Sequence, residues 1–251
     1  MAQQKGIIPL KGTIGNINFY KSRDGYLARE KTSIDAARIA NDPAFARTRE
    51  NGAEFGRAGT AGKVLRTALR SLLLNTSDSR MLSRLTGEMM KVIKADATSE
   101  RGQRNVIDGE ASLLEGFEFN ANSKLGTTLF AGYTVTVNRA TGLLVINFPS
   151  FIPANLIAAP SGATHFKIVS AGAEIDFEEQ VYVVETGTSG ELPWNATATA
   201  VLNLQHQVTA NSNKPLFLVL GIEFSQEVNG TMYSLKNGAF NALALVKVDL
   251  D

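Results

Sequence analysis

The segment YTVTVNRATGLLVINF, residues 133–148, places two alternating, β-rich runs on either side of the turn-prone residues 138–142. A period of two, interrupted by a glycine-containing turn, predicts a pair of antiparallel strands. Further strand-like runs follow at residues 164–170, 174–177, 180–185, 196–208, 216–224, 231–235 and 242–249. Many short strands separated by turn signals such as Asn229-Gly230 and Asn237-Gly238 predict a C-terminal antiparallel β-sandwich over residues 127–251.

Over residues 33–95 the apolar period is that of helices. Asp42-Pro43 is a helix-start signal, since Asp caps and Pro suits the first helical position. Two amphipathic segments, 64–73 and 82–93, flank the break Asn75–Asp78 and predict a helical hairpin. The second helix is expected to face inward with Leu82, Leu85, Met89, Val92 and Ile93.

The N-terminal end combines a hairpin signal with an apolar arm. Asp24-Gly25 between the runs 14–21 and 26–31 predicts a β-hairpin. The arm Gly6–Leu10, with Ile7 and Ile8, either pairs at a sheet edge of its own or a neighbouring subunit, or is a frayed terminus. The fold class is therefore α+β, with an N-terminal β-hairpin and α-helical module over 1–126, followed by the β-sandwich over 127–251.

The charge of the chain is divided by position. Residues 1–104 hold 19 Lys/Arg and 10 Asp/Glu, a net of +9, whereas residues 105–251 hold 6 and 14, a net of −8. The whole chain of 251 residues therefore averages to +1. Such asymmetry indicates a charged partner, and another copy of the chain satisfies that requirement.

No motif indicates catalysis, a cofactor or a metal. The chain has no cysteine and only two histidines, His165 and His206, without companion motifs. The segment Gly56–Lys63 resembles a phosphate-binding loop, but Arg57 stands where the loop requires its first glycine and Val64 where it requires a hydroxyl. We interpret its glycines as sites of close helix packing or helix interruption, and we expect a protein that is not an enzyme and has no small-molecule substrate.

The apolar run at residues 6–10 is too short for a secretory signal, and no run approaches the roughly 20 residues of a membrane span. We expect synthesis in the cytoplasm and no membrane partner. Release by lysis or leaderless export is left open.

A further pattern carries a resemblance. The pattern consists of the segments LKGTIG (10–15), NFYK (18–21), LAR (27–29), NDPAF (41–45), RTREN (47–51) and EFG (54–56), with weaker continuation at RGQR (101–104) and FEFN (117–120). It resembles a family of Bacteroidota proteins that has no assigned activity. The resemblance covers about the first half of the chain. It implies a shared N-terminal module with a more variable β module, and it transfers no catalytic residue.

These observations favour a non-enzymatic structural protein that self-associates head to tail into a filament, tube or phage-tail-like assembly through basic and acidic surfaces. One alternative is a nucleic-acid-associated protein that uses its basic helix faces. Another is a glycan- or ligand-binding β-domain on a helical adaptor, with Trp194 as its aromatic platform. The candidate assembly or anion-contact residues are Ile7, Ile8, Arg47, Arg49, Lys63, Arg66, Arg70, Arg80, Arg84, Lys91 and Lys94.

Overall fold

A computed structural model describes residues 2–6, 8–31, 36–76 and 78–250, with the side chains of residues 236 and 237 excepted. The chain forms two compact units, Met1–Arg49 and Glu50–Asp251. The fold is α+β, with antiparallel sheets. The boundary between the units lies at Arg49/Glu50, whereas the sequence-derived boundary at 126/127 marks the change in apolar period.

The N-terminal unit contains a four-stranded antiparallel sheet. Its strands are β1 (Ala2–Gln3), β2 (Gly12–Ile14), β3 (Ile17–Ser22) and β4 (Gly25–Glu30), in the order β1-β4-β3-β2. Strands β3 and β4 pair from Ile17↔Glu30 to Ser22↔Gly25, so the connecting residues are Arg23 and Asp24. Gly25 opens β4 with a φ of 113°, a value that favours glycine. Helix α1 (Ala36–Asn41) and a 3-10 turn at Pro43–Phe45 follow.

The predicted helix start at Asp42-Pro43 is confirmed. The Asp42 carboxylate accepts a hydrogen bond from the Ala44 N–H (2.9 Å), and the 3-10 turn leads directly into α2 (Ala46–Ala68). The glycines of Gly56–Gly62 do not interrupt this helix. A Cβ on Gly62 would meet Leu85 at 3.6 Å, so close helix packing holds there, while Gly56 and Gly59 face open space.

The second unit continues with three more helices before its strands. They are α3 (Arg70–Leu73), α4 (Met81–Lys94) and α5 (Leu125–Thr128), with a 3-10 turn at Ala111–Leu114. On α4, Leu85, Met89, Val92 and Ile93 are buried as predicted. Leu82 is 47% exposed, and its neighbour Met81 takes the buried position instead. The expectation for Leu82 was therefore wrong.

The remaining elements build two sheets. The strands are β5 (Thr134–Asn138), β6 (Leu143–Phe148), β7 (His165–Asp176), β8 (Val181–Thr188), β9 (Leu192–Pro193), β10 (Leu202–Gln207), β11 (Leu216–Val228), β12 (Thr231–Ser234) and β13 (Ala242–Asp249), with helix α6 (Pro153–Leu156) after β6 and a 3-10 turn at Leu235–Gly238. One sheet has the order β10-β6-β5. The other has the order β12-β11-β7-β8, with β13 paired to β11 and β9 paired to β7, and it curls into a half-barrel.

The central strands of the larger sheet, β7, β11 and β13, are buried on both faces along most of their length. Odd-numbered residues of β7, such as Val169 and Ala171, share one apolar cluster with α2, α3 and α4. Even-numbered residues, such as Phe166 and Ile168, share a second cluster with β6 and β10. This arrangement explains the near-continuous apolar runs at 216–224 and 242–248, because a strand buried on both faces does not alternate.

Two strand predictions differ from the structure. The runs 164–170 and 174–177 belong to one strand, β7, which continues through Gly172. The run 196–208 contains a strand only over Leu202–Gln207. Gly172 interrupts the apolar pattern because the side chain of His206 occupies the space above it: a Cβ there would lie 2.6 Å from the His206 Cβ.

His206 joins the two sheets. It is fully buried on β10, and its Nε2 lies 2.8 Å from the Ser170 hydroxyl oxygen on β7. Burial lowers the pKa of His206 below its usual 6.5, against the opposing effect of the Glu185 carboxylate. The folded state therefore disfavours the imidazolium form.

We expect acidification to destabilise the protein through this histidine. The unfolded chain binds the proton near pH 6.5, whereas the folded chain binds it only at lower pH, so stability is lost as the pH falls below 6.5. Urea unfolding of wild type and His206→Gln at pH values above and below 6.5 measures the effect, because other titrating groups cancel in the difference. A constant difference between the two proteins across that range would contradict the assignment.

Candidate interaction surfaces

The N-terminal sheet has strands but no core of its own. None of the described residues among 2–49 is buried, and Ile8, Ile14 and Ile17 are 78%, 63% and 46% exposed. Two- to four-stranded sheets are stable in water when an apolar face packs against another layer. Among the described residues of its own unit, this sheet has no such layer.

One face of that sheet is the more apolar. Residues directly opposite each other in antiparallel strands share a face. The pairs Ile14↔Ile17 and Phe19↔Ala28 therefore lie on one side, together with Tyr26. The other face carries more polar residues, including Thr13, Asn18 and Arg29. An apolar strip of this kind indicates an interaction surface.

The polar residues in the family-like segments contact one another. Glu54 is 1% exposed and forms an ion pair with Arg104 at 2.8 Å, while also accepting the Gly102 N–H at 2.8 Å. Arg57 donates to the carbonyl oxygens of Gly102 and Arg104. Arg101 pairs with Glu50 at 3.4 Å. The segments RTREN, EFG and RGQR thus form one network that fixes the loop after α4 onto α2.

Electrostatics in this network favour the ionised carboxylates. The hydrogen bond from Arg104 lowers the pKa of Glu54, against the opposing effect of burial. For Asp96 in the same loop, burial alone would raise the pKa. The N–H groups of Ser99, Thr98 and Asn105 more than offset it, and the pKa lies well below its usual value.

Several of the predicted contact residues have partners within the chain. Arg49 donates to the carbonyl oxygens of Ile39 (2.8 Å) and Asp42 (3.0 Å). Arg84 pairs with Asp78 at 2.6 Å and donates to the Glu118 carbonyl oxygen. Lys91 pairs with Glu88. Arg47, Arg80 and Lys94 are exposed, as is Ile8, whereas Ile7 lies outside the described residues.

Three predicted residues meet in one groove. Lys63, Arg66 and Arg70 line an open cavity of about 400 Å³ together with Thr67, and its apolar floor is formed by Leu73, Leu74 and Met81. Lys63 and Arg70 are exposed, and Arg66 is partly buried. The Arg66 Nε is buried without a hydrogen-bond partner among the described residues. We refer to this cavity as the basic groove.

The other candidate sites, a catalytic pair and a metal centre, are inaccessible or are not formed among the described residues. Ser170 and His206 lie in hydrogen-bond contact, but both are 0% exposed, so a substrate would not reach the hydroxyl. The described residues contain no group of three or more His, Asp or Glu side chains arranged to hold a metal ion. Over the same part of the chain, no helix combines the length and the apolar character needed to cross a lipid bilayer.

Comparison of the chain with protein-family models, with curated proteins and with solved structures finds no match.

The Glu54–Arg104 pair provides a test of the network. Glu54→Gln leaves the Arg104 guanidinium without its counter-charge, and we expect a loss of about 3 kcal/mol in the free energy of unfolding. Glu88→Gln, which removes an exposed pair with Lys91, should cost less than about 1 kcal/mol. Urea unfolding of both variants measures the two losses. Equal losses of unfolding free energy would show that the buried pair contributes no more to stability than the exposed pair.

Proposed function

We propose that the protein is a non-enzymatic structural protein that self-associates head to tail into a filament, tube or phage-tail-like assembly. The observation that supports this most directly is the N-terminal sheet, whose described residues include none that is buried. A second copy that covers the Ile14, Ile17 and Phe19 face supplies the missing layer. Burial of apolar surface contributes about 25 cal/mol for each Å² removed from water, and this gain has to exceed the cost of lost translational and rotational freedom before two copies associate.

The division of charge supports the same proposal. Residues 1–104 carry a net of +9 and residues 105–251 a net of −8, so unlike surfaces are available on every copy. Complementary surfaces at different places on one chain produce heterologous contacts, which close into rings or continue as filaments. In this proposal the helices and the N-terminal sheet form the assembly module, and the C-terminal sheets, which we interpret as a sandwich, complete the contact.

We expect the double variant Ile14→Lys/Ile17→Lys to weaken association, because it places two charges on the apolar face. The matched control Thr13→Lys adds a charge to the opposite face of β2 and should associate as wild type does. Sedimentation velocity over a concentration series and negative-stain electron microscopy measure the outcome. Wild-type protein that stays a monodisperse monomer at every concentration and salt level would refute self-association itself.

A second candidate function, nucleic-acid association, is favoured by the basic groove. Lys63, Arg66 and Arg70 form no ion pair with a described acidic residue, so all three could contact phosphates. Three phosphate contacts give a slope of about −3 in log K against log salt. Titration of the protein with duplex and single-stranded DNA over a salt series tests this function, and a flat response would exclude it.

The glycan-binding alternative has less support. The indole N–H of Trp194 donates to the Ile157 carbonyl oxygen at 3.3 Å, and the ring packs against the core between the two C-terminal sheets. A ring held in this way offers less surface to a sugar than a free aromatic platform would.

A further inference from the structure

The basic groove holds three cations that form no ion pair with an acidic side chain of the described residues. Lys63, Arg66 and Arg70 occupy successive turns of the outer side of α2 and the start of α3, and no described acidic side chain pairs with them. The buried Nε of Arg66 is a donor with no acceptor among the described residues. A second molecule can reach the exposed charges of Lys63 and Arg70, and an anion bound there would also offset the positive charge of the partly buried Arg66.

The turn between β7 and β8, residues Phe177–Gln180, has the opposite character. Asp176 holds the turn in shape by accepting the N–H groups of Glu178 (2.9 Å) and Glu179 (3.0 Å). The side chains of Glu178 and Glu179 are exposed. Lys214, which interacts electrostatically with both carboxylates, forms its ion pair with Asp176 at 2.7 Å. The segment from Asp176 to Gln180 together with Lys214 therefore has a net charge of −2, from three carboxylates and one ammonium.

Apolar surface accompanies the charge at both places. Leu74 at the groove is 73% exposed. After the acidic turn, the first residues of β8 are exposed as well, with Val181 at 58%, Tyr182 at 42% and Val183 at 45%. Each surface thus combines charge with an apolar margin, as protein–protein contacts commonly do.

We propose that the basic groove of one copy binds the acidic β7–β8 turn of a second copy, with Glu178 and Glu179 as the acceptors for Lys63, Arg66 and Arg70. This inference rests on the proposed self-association and names two of the surfaces that would perform it. The apolar floor favours a peptide turn over a nucleic-acid backbone, since a phosphate chain gains nothing from Leu73, Leu74 and Met81. Gly56 and Gly59, which face open space on α2, leave room for a second backbone to approach.

The test is an exchange of charges between molecules. One variant carries Lys63→Glu/Arg70→Glu and the other carries Glu178→Lys/Glu179→Lys; Arg66 is kept because it is partly buried. We expect each variant alone to associate at least about tenfold more weakly than wild type at low salt. An equimolar mixture of the two should recover association, because the acidic groove of the first then meets the basic turn of the second. Sedimentation velocity measures all three samples.

A matched control separates this contact from general charge effects. Lys124→Glu/Lys247→Glu changes the net charge by the same amount at positions outside the groove and the acidic turn, and should leave association unchanged. Circular dichroism and thermal unfolding show that each variant is folded before it is used.

Three results would overturn the inference. If both exchange variants associate like wild type, the protein assembles through other surfaces, and the proposed function survives without this contact. If the mixture does not recover association, the groove and the turn do not meet. If Lys63→Glu/Arg70→Glu abolishes DNA binding and leaves association intact, the groove belongs to a nucleic acid. A wild type that never associates refutes the proposed function itself.

Discussion

Burial of β7, β11 and β13 on both faces is the constraint on which the second unit depends. These strands lie between the helices on one side and the β10-β6-β5 sheet on the other, and each side has its own apolar cluster. Few polar groups lie among the buried apolar residues of the central strands, and they have hydrogen-bond partners. Ser170 faces His206, and the N–H of Phe224 is satisfied by the Asn241 side chain at 3.0 Å. The helices and the small sheet are held in place because they cover the two faces of the large one.

The sequence allowed much of this arrangement to be predicted, because apolar period is a local property. The runs 143–148 and 242–249 are strands over the predicted residues, and α4 buries four of the five predicted side chains. The failures have non-local causes. Gly172 lies within β7 and does not end it. A glycine is needed there because His206, on a strand 34 residues further along the chain, occupies the space that a side chain would fill. Leu82 is a different case, since Met81 and Leu82 precede Leu85 by four and three positions, and the helical period allows either one to face the core.

The charged residues show the same division between local and distant information. A basic stripe on α4 is predictable, but the fate of Arg84 depends on Asp78 and on the carbonyl oxygen of Glu118, which lies 34 positions away. The ion pair between Glu54 and Arg104 spans 50 positions. Of the seven basic residues predicted on the two helices, the structure brings Lys63, Arg66 and Arg70 together. Proximity in space, rather than positive charge alone, distinguishes these three from the others.

The missing core of the N-terminal sheet has a thermodynamic consequence. The heat capacity of unfolding arises mainly from apolar surface that becomes hydrated. A sheet with no fully buried side chain among its described residues has less such surface to expose than the second unit has. The N-terminal unit therefore contributes a smaller share of the heat-capacity change than its length alone would suggest.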